Sequence, residues 1–482
     1  MTIHSFRCCF VRLVTIGLIN SLLVASVLAT TPRNITDLSG NHVHFDSLGE
    51  DVADDSGTFG DSSPIDTAGY WSQIPMSSES GTITEPKSAP PSNPPSAPLL
   101  PPPKSKPKAD PPKYPSIDVT GFFQLDAAWF NQDAASRLID GDIPDLIDFR
   151  RARLAAKGKV AENFAYMIEF DFAFPGRPNF MDVWVEAQQL PFGNLRIGQF
   201  RQAFGMDGPT SVKDLTFLER ALPFVFVPFR QTGLMAYGTE FDDAVTWAVS
   251  GYRFPADPFG GTFGDKGYGL STRVTTALFN VPDENLVAHI GGSYSYNRPS
   301  TGLVRYATTP EVGFNFGVAG TVPFFVDTGA LTTDSVSLYG IEAAFSLQGL
   351  LIQAEAVAAE IDPSFASGSA WLKGAYAQIS YVLTGEVRPY NAKQGVYGRV
   401  KPNCDFGAHG GGAWEVAARY SYLDFNDAPV MGGRLSDVTA GLNWYLNSFT
   451  KLQFNYIHAF LNRAPVGDAS ADVFALRCQL DF

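Results

Sequence analysis

After residue 29 the 482-residue chain has no apolar run long enough to cross a membrane as a helix. It has four cysteines, and two of them, Cys8 and Cys9, stand in the first ten residues. Cys404 and Cys478 are too far apart in sequence to suggest a disulfide framework, and no cysteine or histidine spacing suits a metal. Of six histidines only His42 and His44 are close together, with no cysteine near them. GxSxG, HExxH and Walker-type loops are all missing. No catalytic residue, no cofactor and no metal site is therefore expected. Bases are also scarce, 35 against 49 acids for a net charge of −14, which sets nucleic acid aside as a partner. Acidity alone does not fix the selectivity of a pore, which depends on the charges at its constriction.

What is present is an alternating pattern rich in aromatics. The last segment, Ala471–Phe482, places Phe474, Leu476, Cys478, Leu480 and Phe482 on one face and Ala475, Arg477, Gln479 and Asp481 on the other. Such period-two alternation predicts a strand with one apolar and one wet face. A mean hydropathy of −0.03 fits a transmembrane barrel, because its strands average to neutrality. The 38 Phe and 18 Tyr would supply interfacial girdles. At the other end, Arg7 and Arg12 precede the mostly apolar Leu13–Leu28, and Val27 and Ala29 suit the −3 and −1 positions of a cleavage site. Residues 1–29 read as a signal peptide. Residues 30–116 read as a disordered extension, acidic over Asp46–Ser63 and Pro-dense over Pro86–Pro115. At ~3.1 Å per residue its Pro-rich part could reach about 90 Å. It is either a periplasmic spacer touching peptidoglycan through its lysines or an inert linker.

From Ile117 onward about sixteen strand-like segments recur, an even number that fits an all-β, antiparallel transmembrane barrel over residues 117–482. Connections such as Val160 to Phe164, Leu347 to Leu350 and Leu446 to Lys451 are tight. Arg201–Thr232, Arg298–Asp334 and Gly385–Gly412 are long. The alternation predicts periplasmic turns at one end and extracellular loops at the other, with Gly385–Gly412 among the loops. Inside the first long loop, Asp214 and Thr216 offer capping chemistry and Leu215, Leu218 and Leu222 share a face, which predicts a helix over Ser211–Leu222. A partly helical loop of this kind either folds inward as a constriction or lies on the surface.

Six stretches carry a resemblance: Ile197–Gly205, Thr216–Arg220, Arg230–Gly233, Leu383–Tyr390, Trp414–Tyr420 and Gly441–Leu446. In number and order they resemble the phosphate-selective porin O/P family of bacterial outer membranes. The resemblance spans most of 117–482 and is silent on 30–116. It implies a sixteen-stranded, usually trimeric barrel embedded in outer-membrane lipid and passing small anions, phosphate or polyphosphate among them. It also implies that the barrel-assembly machinery reads the final strand, with Phe482 as its terminal aromatic.

An anion path needs groups that replace water, and guanidinium forks suit phosphate oxygens. Arg151, Arg153, Lys157 and Lys159 alternate with Leu154, Ala156, Gly158 and Val160, and would span ~27 Å of one strand's wet face. They form either an anion ladder or a set of partners for Glu169 and Asp171 on the next strand. Arg196, Arg273, Arg419, Lys451 and Arg477 share wet parity on other strands, and Arg201, Lys213, Arg220 and Arg230 belong to the constriction-loop candidate. Against an anion filter stands an excess of about 38 acids over about 27 bases in residues 116–482. A general or cation-leaning pore, or a barrel serving as an envelope anchor or adhesin, therefore stays open at this point. Because residues 30–115 cannot build a packed core, deleting them should leave single-channel conductance unchanged. Limited proteolysis should trim that segment while 117–482 resists; a protected extension or a dead pore would reveal a missed domain or plug.

Overall fold

The computed structural model describes residues 113–173, 178–255, 267–313, 322–362, 368–407 and 410–482. The residues read as a signal peptide, and nearly all of those read as an extension, lie outside the described residues. Sixteen strands close into one antiparallel barrel in sequence order. The first half comprises β1 (Asp118–Gln132), β2 (Leu146–Ala161), β3 (Phe164–Asp171), β4 (Asn179–Leu190), β5 (Gly193–Arg201), β6 (Arg230–Glu240), β7 (Val245–Tyr252) and β8 (Tyr268–Val281). The second half comprises β9 (Leu286–Arg298), β10 (Ser335–Leu347), β11 (Leu350–Asp362), β12 (Ala370–Val382), β13 (Ala413–Asp427), β14 (Val430–Tyr445), β15 (Thr450–Arg463) and β16 (Gly467–Asp481). Every strand-like segment read from the sequence is one of these. A seven-residue helix, α1 (Ala134–Asp140), capped by the Asp133 carboxylate, sits between β1 and β2.

The alternation does what its chemistry requires. On β16, Phe474 and Leu480 face outward and exposed, whereas Arg477 and Gln479 are wholly buried inside. Val185, Ile197, Val274 and Ile341 likewise present apolar surface outward on their strands. A closed sheet leaves no backbone edge unpaired, which a lipid environment demands. Closure is made at the termini: Phe482 N donates to the Gly121 carbonyl at 3.0 Å, and the Phe482 carbonyl accepts from Gly121 N at 3.1 Å and Thr120 Oγ1 at 2.6 Å.

Two expectations are corrected. Ser211–Leu222 is not helical; it runs through turns and bends, and the loop's helical part is a short 3₁₀ turn at Leu222–Phe226. The leucines at 215, 218 and 222 are buried because the loop crosses the lumen interior, which gives them partners without helical periodicity. The second correction concerns residues 383–412. They join β12 to β13 at the end that carries both barrel termini and the short turns at 162–163, 348–349 and 446–449. That is the periplasmic end of an outer-membrane barrel, not the loop end. Length misled here, because a long connection that folds into the lumen can start from either rim.

Within the sheet the last strand pairs with β1 and β15. Deleting Phe482 removes both backbone bonds to Gly121, so the folded, heat-modifiable fraction should fall and unfolded chain should collect. Normal surface levels of the deletion would show that closure does not depend on this residue.

Candidate functional site

Three segments enter the barrel and divide its interior. The first is the β5–β6 loop, residues 202–229. It starts with Gly205 at φ +63°, where a Cβ would stand 2.3 Å from Glu355 Oε2. Glycine is needed because the next two backbone amides, of Met206 and Asp207, each donate to that carboxylate at 2.8 Å. Further on, the Leu215 carbonyl accepts from Lys451 Nζ at 3.1 Å, and the Thr216 carbonyl accepts from Asn443 Nδ2 at 2.8 Å. Phe204, Phe217, Leu218 and Leu222 are buried between loop and wall. The loop is thereby fixed against β11, β14 and β15.

The second is the β9–β10 loop, residues 299–334. Its buried Glu311 accepts from Arg419 Nε at 2.8 Å and from Thr439 Oγ1 at 3.0 Å, and its backbone amide donates to Asp437 at 2.8 Å. Burial pushes the Glu311 carboxyl above its usual value, and the Arg419 charge only partly opposes the rise.

The third is the 383–412 segment from the other rim. Its hairpin pairs Tyr390–Asn391 with Val396–Tyr397. Arg273 donates to the carbonyls of Gln394 and Gly395 at 2.8 Å each, and its guanidinium pairs with Glu342 at 2.6 Å. His289 bridges Glu342 and Tyr390, each at 2.8 Å. Arg388 forks onto Glu415 at 2.7 and 2.8 Å and reaches the Asp214 carbonyl of the first loop at 2.9 Å. Arg399 forks onto Asp481 at 2.7 and 2.5 Å.

Between the first two of these segments and β2–β6 remains a cavity of about 780 Å³. Six arginines line it, Arg150, Arg151, Arg153, Arg220, Arg230 and Arg305, against the carboxylates Asp171, Glu219 and Glu311. The arginines converge on acids. Glu219 at the loop's inner edge accepts from Arg150 at 3.0 Å, Arg151 at 2.9 Å and Arg477 at 2.8 Å. Arg477 also forks onto Asp126 at 2.7 and 2.6 Å. Arg153 pairs with Asp171 at 2.8 Å and stands 3.8 Å from Glu169. Arg230 pairs with Asp182 at 2.9 Å. A guanidinium carries five N–H donors in a planar fork, more than one carboxylate can use.

The bases chosen from sequence thus part into groups. Arg151, Arg153, Arg220 and Arg230 line the cavity, although Arg220 is occupied by the Asp207 and Thr210 carbonyls at 2.7 and 2.6 Å. Arg273, Arg419, Lys451 and Arg477 are buried and pin the entering segments. Arg196 pairs with Glu186 at 2.6 Å beneath Trp184. Arg201 holds the Pro209 and Thr210 carbonyls at 2.9 and 3.1 Å, and Lys213 stands 3.8 Å from Asp481. Lys157 is exposed near the turn end, and Lys159 donates to the Glu162 carbonyl at 2.9 Å. Alternation alone could not find Arg150. A bulge shifts the β1–β2 register so that Gln124 faces Arg151 and Leu125 faces Phe149, and Arg150 and Arg151 both turn inward. Arg388 and Arg399 were missed because their segment was placed at the other rim.

The chain matches the family described as phosphate-selective porin O and P over residues 117–482. The chain belongs to that family. It is an outer-membrane porin, a channel for anions such as phosphate. It is 27% identical to porin O of Pseudomonas aeruginosa over 381 residues, which cover 71% of this chain and 84% of that protein. It is 26% identical to an uncharacterised protein of Caulobacter vibrioides over 393 residues, 76% of this chain and 74% of that one. Among solved structures, the trimer form of OmpT from Vibrio cholerae aligns at a TM-score of 0.48 and 13% identity, over 76% of this chain and 99% of OmpT. An anion-selective porin from Comamonas acidovorans aligns at a TM-score of 0.47 and 13% identity, over 76% and 99%.

Burial alone would raise the Glu219 carboxyl, but the charges of Arg150, Arg151 and Arg477 hold it well below its ordinary 4.5. A depressed folded value means that this lock contributes fully above pH 4.5 and is lost only as pH falls through the depressed value. Conductance should therefore stay constant from neutral pH down to 4.5 so far as this lock decides it. Glu219→Gln leaves three guanidiniums facing one another and should destabilise the barrel by about 3 kcal/mol, read by denaturant unfolding in detergent; an unchanged midpoint would show that the lock is dispensable.

Proposed function

We propose that the anion path runs through the arginine-lined cavity and that selectivity is set there by Arg150, Arg151, Arg153 and Arg230. The observation that carries this reading is the twofold excess of arginine over carboxylate on that wall, in a chain whose whole composition is acidic. Charges on the rims are screened beyond about 8 Å at physiological salt. Those at a narrow passage meet an ion that has shed part of its water and act on it directly. Guanidinium forks donate to two oxygens of an oxyanion at once, yet the neighbouring carboxylates keep the net field small enough for release.

Two further parts of the reading follow the family. The chain works as a homotrimer in outer-membrane lipid. Its final strand, ending at Phe482, is the element that the assembly machinery reads. By its composition, the extension is either a periplasmic spacer touching peptidoglycan through its lysines or an inert linker.

The test is a planar bilayer under a salt gradient. Wild-type protein should give a reversal potential of anionic sign. Arg150→Gln with Arg153→Gln should lower the anion-to-cation permeability ratio several-fold without abolishing conductance, and Lys104→Gln with Lys106→Gln should change nothing. A cationic reversal potential in the wild type would replace this reading with a general or cation-leaning pore. A folded barrel without conductance would favour an anchor.

A further inference from the structure

We propose that the lumen favours organic anions, an oxyanion head on an apolar or aromatic body, over compact inorganic oxyanions of the same charge. The proposal rests on the anion-path reading above and adds the class of solute. Its ground is the wall beside the arginines. Next to Arg220 and Arg230 the first loop presents Phe224, Val225, Val227 and Phe229, each only half-buried and each lining the same space. Phe224 and Phe229 meet edge to face at 4.9 Å, and the Arg230 guanidinium lies 4.6 Å from the Phe229 ring centre. An arginine wall and an apolar ledge therefore border one another at Arg230.

A small inorganic oxyanion can use only half of this surface. The guanidiniums replace its water, but a ledge of phenyl rings and valines offers no hydrogen bond in return. A solute with a carboxylate or phosphomonoester head and an apolar body uses both halves. Its head forks onto Arg150, Arg153 or Arg230, while its body covers surface that otherwise faces water. A ring can also lie edge to face against Phe224 or Phe229. The cavity, about 780 Å³, has room for such a molecule. The ledge is fixed by the same loop that carries Glu219, so head and body sites keep a set separation.

The experiment compares matched solutes that differ only in the apolar body. In a planar bilayer with chloride as carrier, inorganic phosphate and phenyl phosphate, and in parallel acetate and benzoate, are titrated against wild-type conductance. The aryl member of each pair should half-block the current at about a five- to tenfold lower concentration, the range of an aromatic contact. Phe224→Ser with Phe229→Ser should bring that ratio close to one while the affinity for inorganic phosphate stays. The isosteric Val225→Thr with Val227→Thr should lower the ratio part-way, and serves if the first variant fails to fold. Equal block by aryl and inorganic members, with an anionic reversal potential intact, would overturn the organic-anion proposal and spare the anion path. Loss of the anionic reversal potential itself would overturn both. Selective block by only the phenyl phosphate pair or only the benzoate pair still supports the proposal and identifies the head group.

Discussion

One carboxylate organises the interior. Glu219 binds Arg150 and Arg151 of β2 and Arg477 of β16, and β1 lies between those two strands. The loop that crosses the lumen is therefore tied across the seam where the barrel closes. Burying one acid among three bases is tolerable because two of the guanidiniums have a second partner, Arg477 in Asp126 and Arg151 in Gln124. The Arg419 guanidinium also holds the Glu219 backbone carbonyl at 3.1 Å. Removing the acid would strand the cluster, since an uncompensated buried charge costs more than the pair contributes.

The same arrangement explains why an acidic protein can carry an arginine-lined passage. Many of its acids are not free field sources. Asp126, Asp171, Asp182, Glu219, Glu342 and Glu415 each sit against a guanidinium inside the barrel. On the wall of the cavity through which we propose that anions pass, bases outnumber acids. Net charge from composition is therefore a poor guide to the lumen of a chain with this much internal pairing.

The barrel was legible because lipid imposes a strict rule on every strand, apolar outward and polar inward, and sixteen repetitions of that rule leave little room for another fold. The interior was legible only in part. Parity correctly turned Arg151, Arg153, Arg273, Arg419 and Arg477 inward, yet it carries no information on what each one meets there. Arg273 and Arg419 meet backbone and carboxylates of inserted segments, and nothing local in β8 or β13 signals this. Arg150 escaped because a bulge breaks the period-two count by one residue. The helix expected over Ser211–Leu222 failed for a related reason. Leucines buried on several sides by barrel walls need no helical stripe to find partners, so spacing there reports the surroundings and not the backbone.

The segment entering from the turn end sets an order of events during assembly. Arg399 sits in the connection between β12 and β13, but its partner Asp481 is the penultimate residue of the chain. The fork cannot form until the last strand has been delivered and laid against β1. Arg388 has its carboxylate, Glu415, on β13, and so can dock much earlier. The insert is thus anchored first at one end and latched last at the other. A barrel with β16 unpaired would hold this segment through Arg388 and through the Arg273 bonds to its hairpin, with the Arg399 latch still undone.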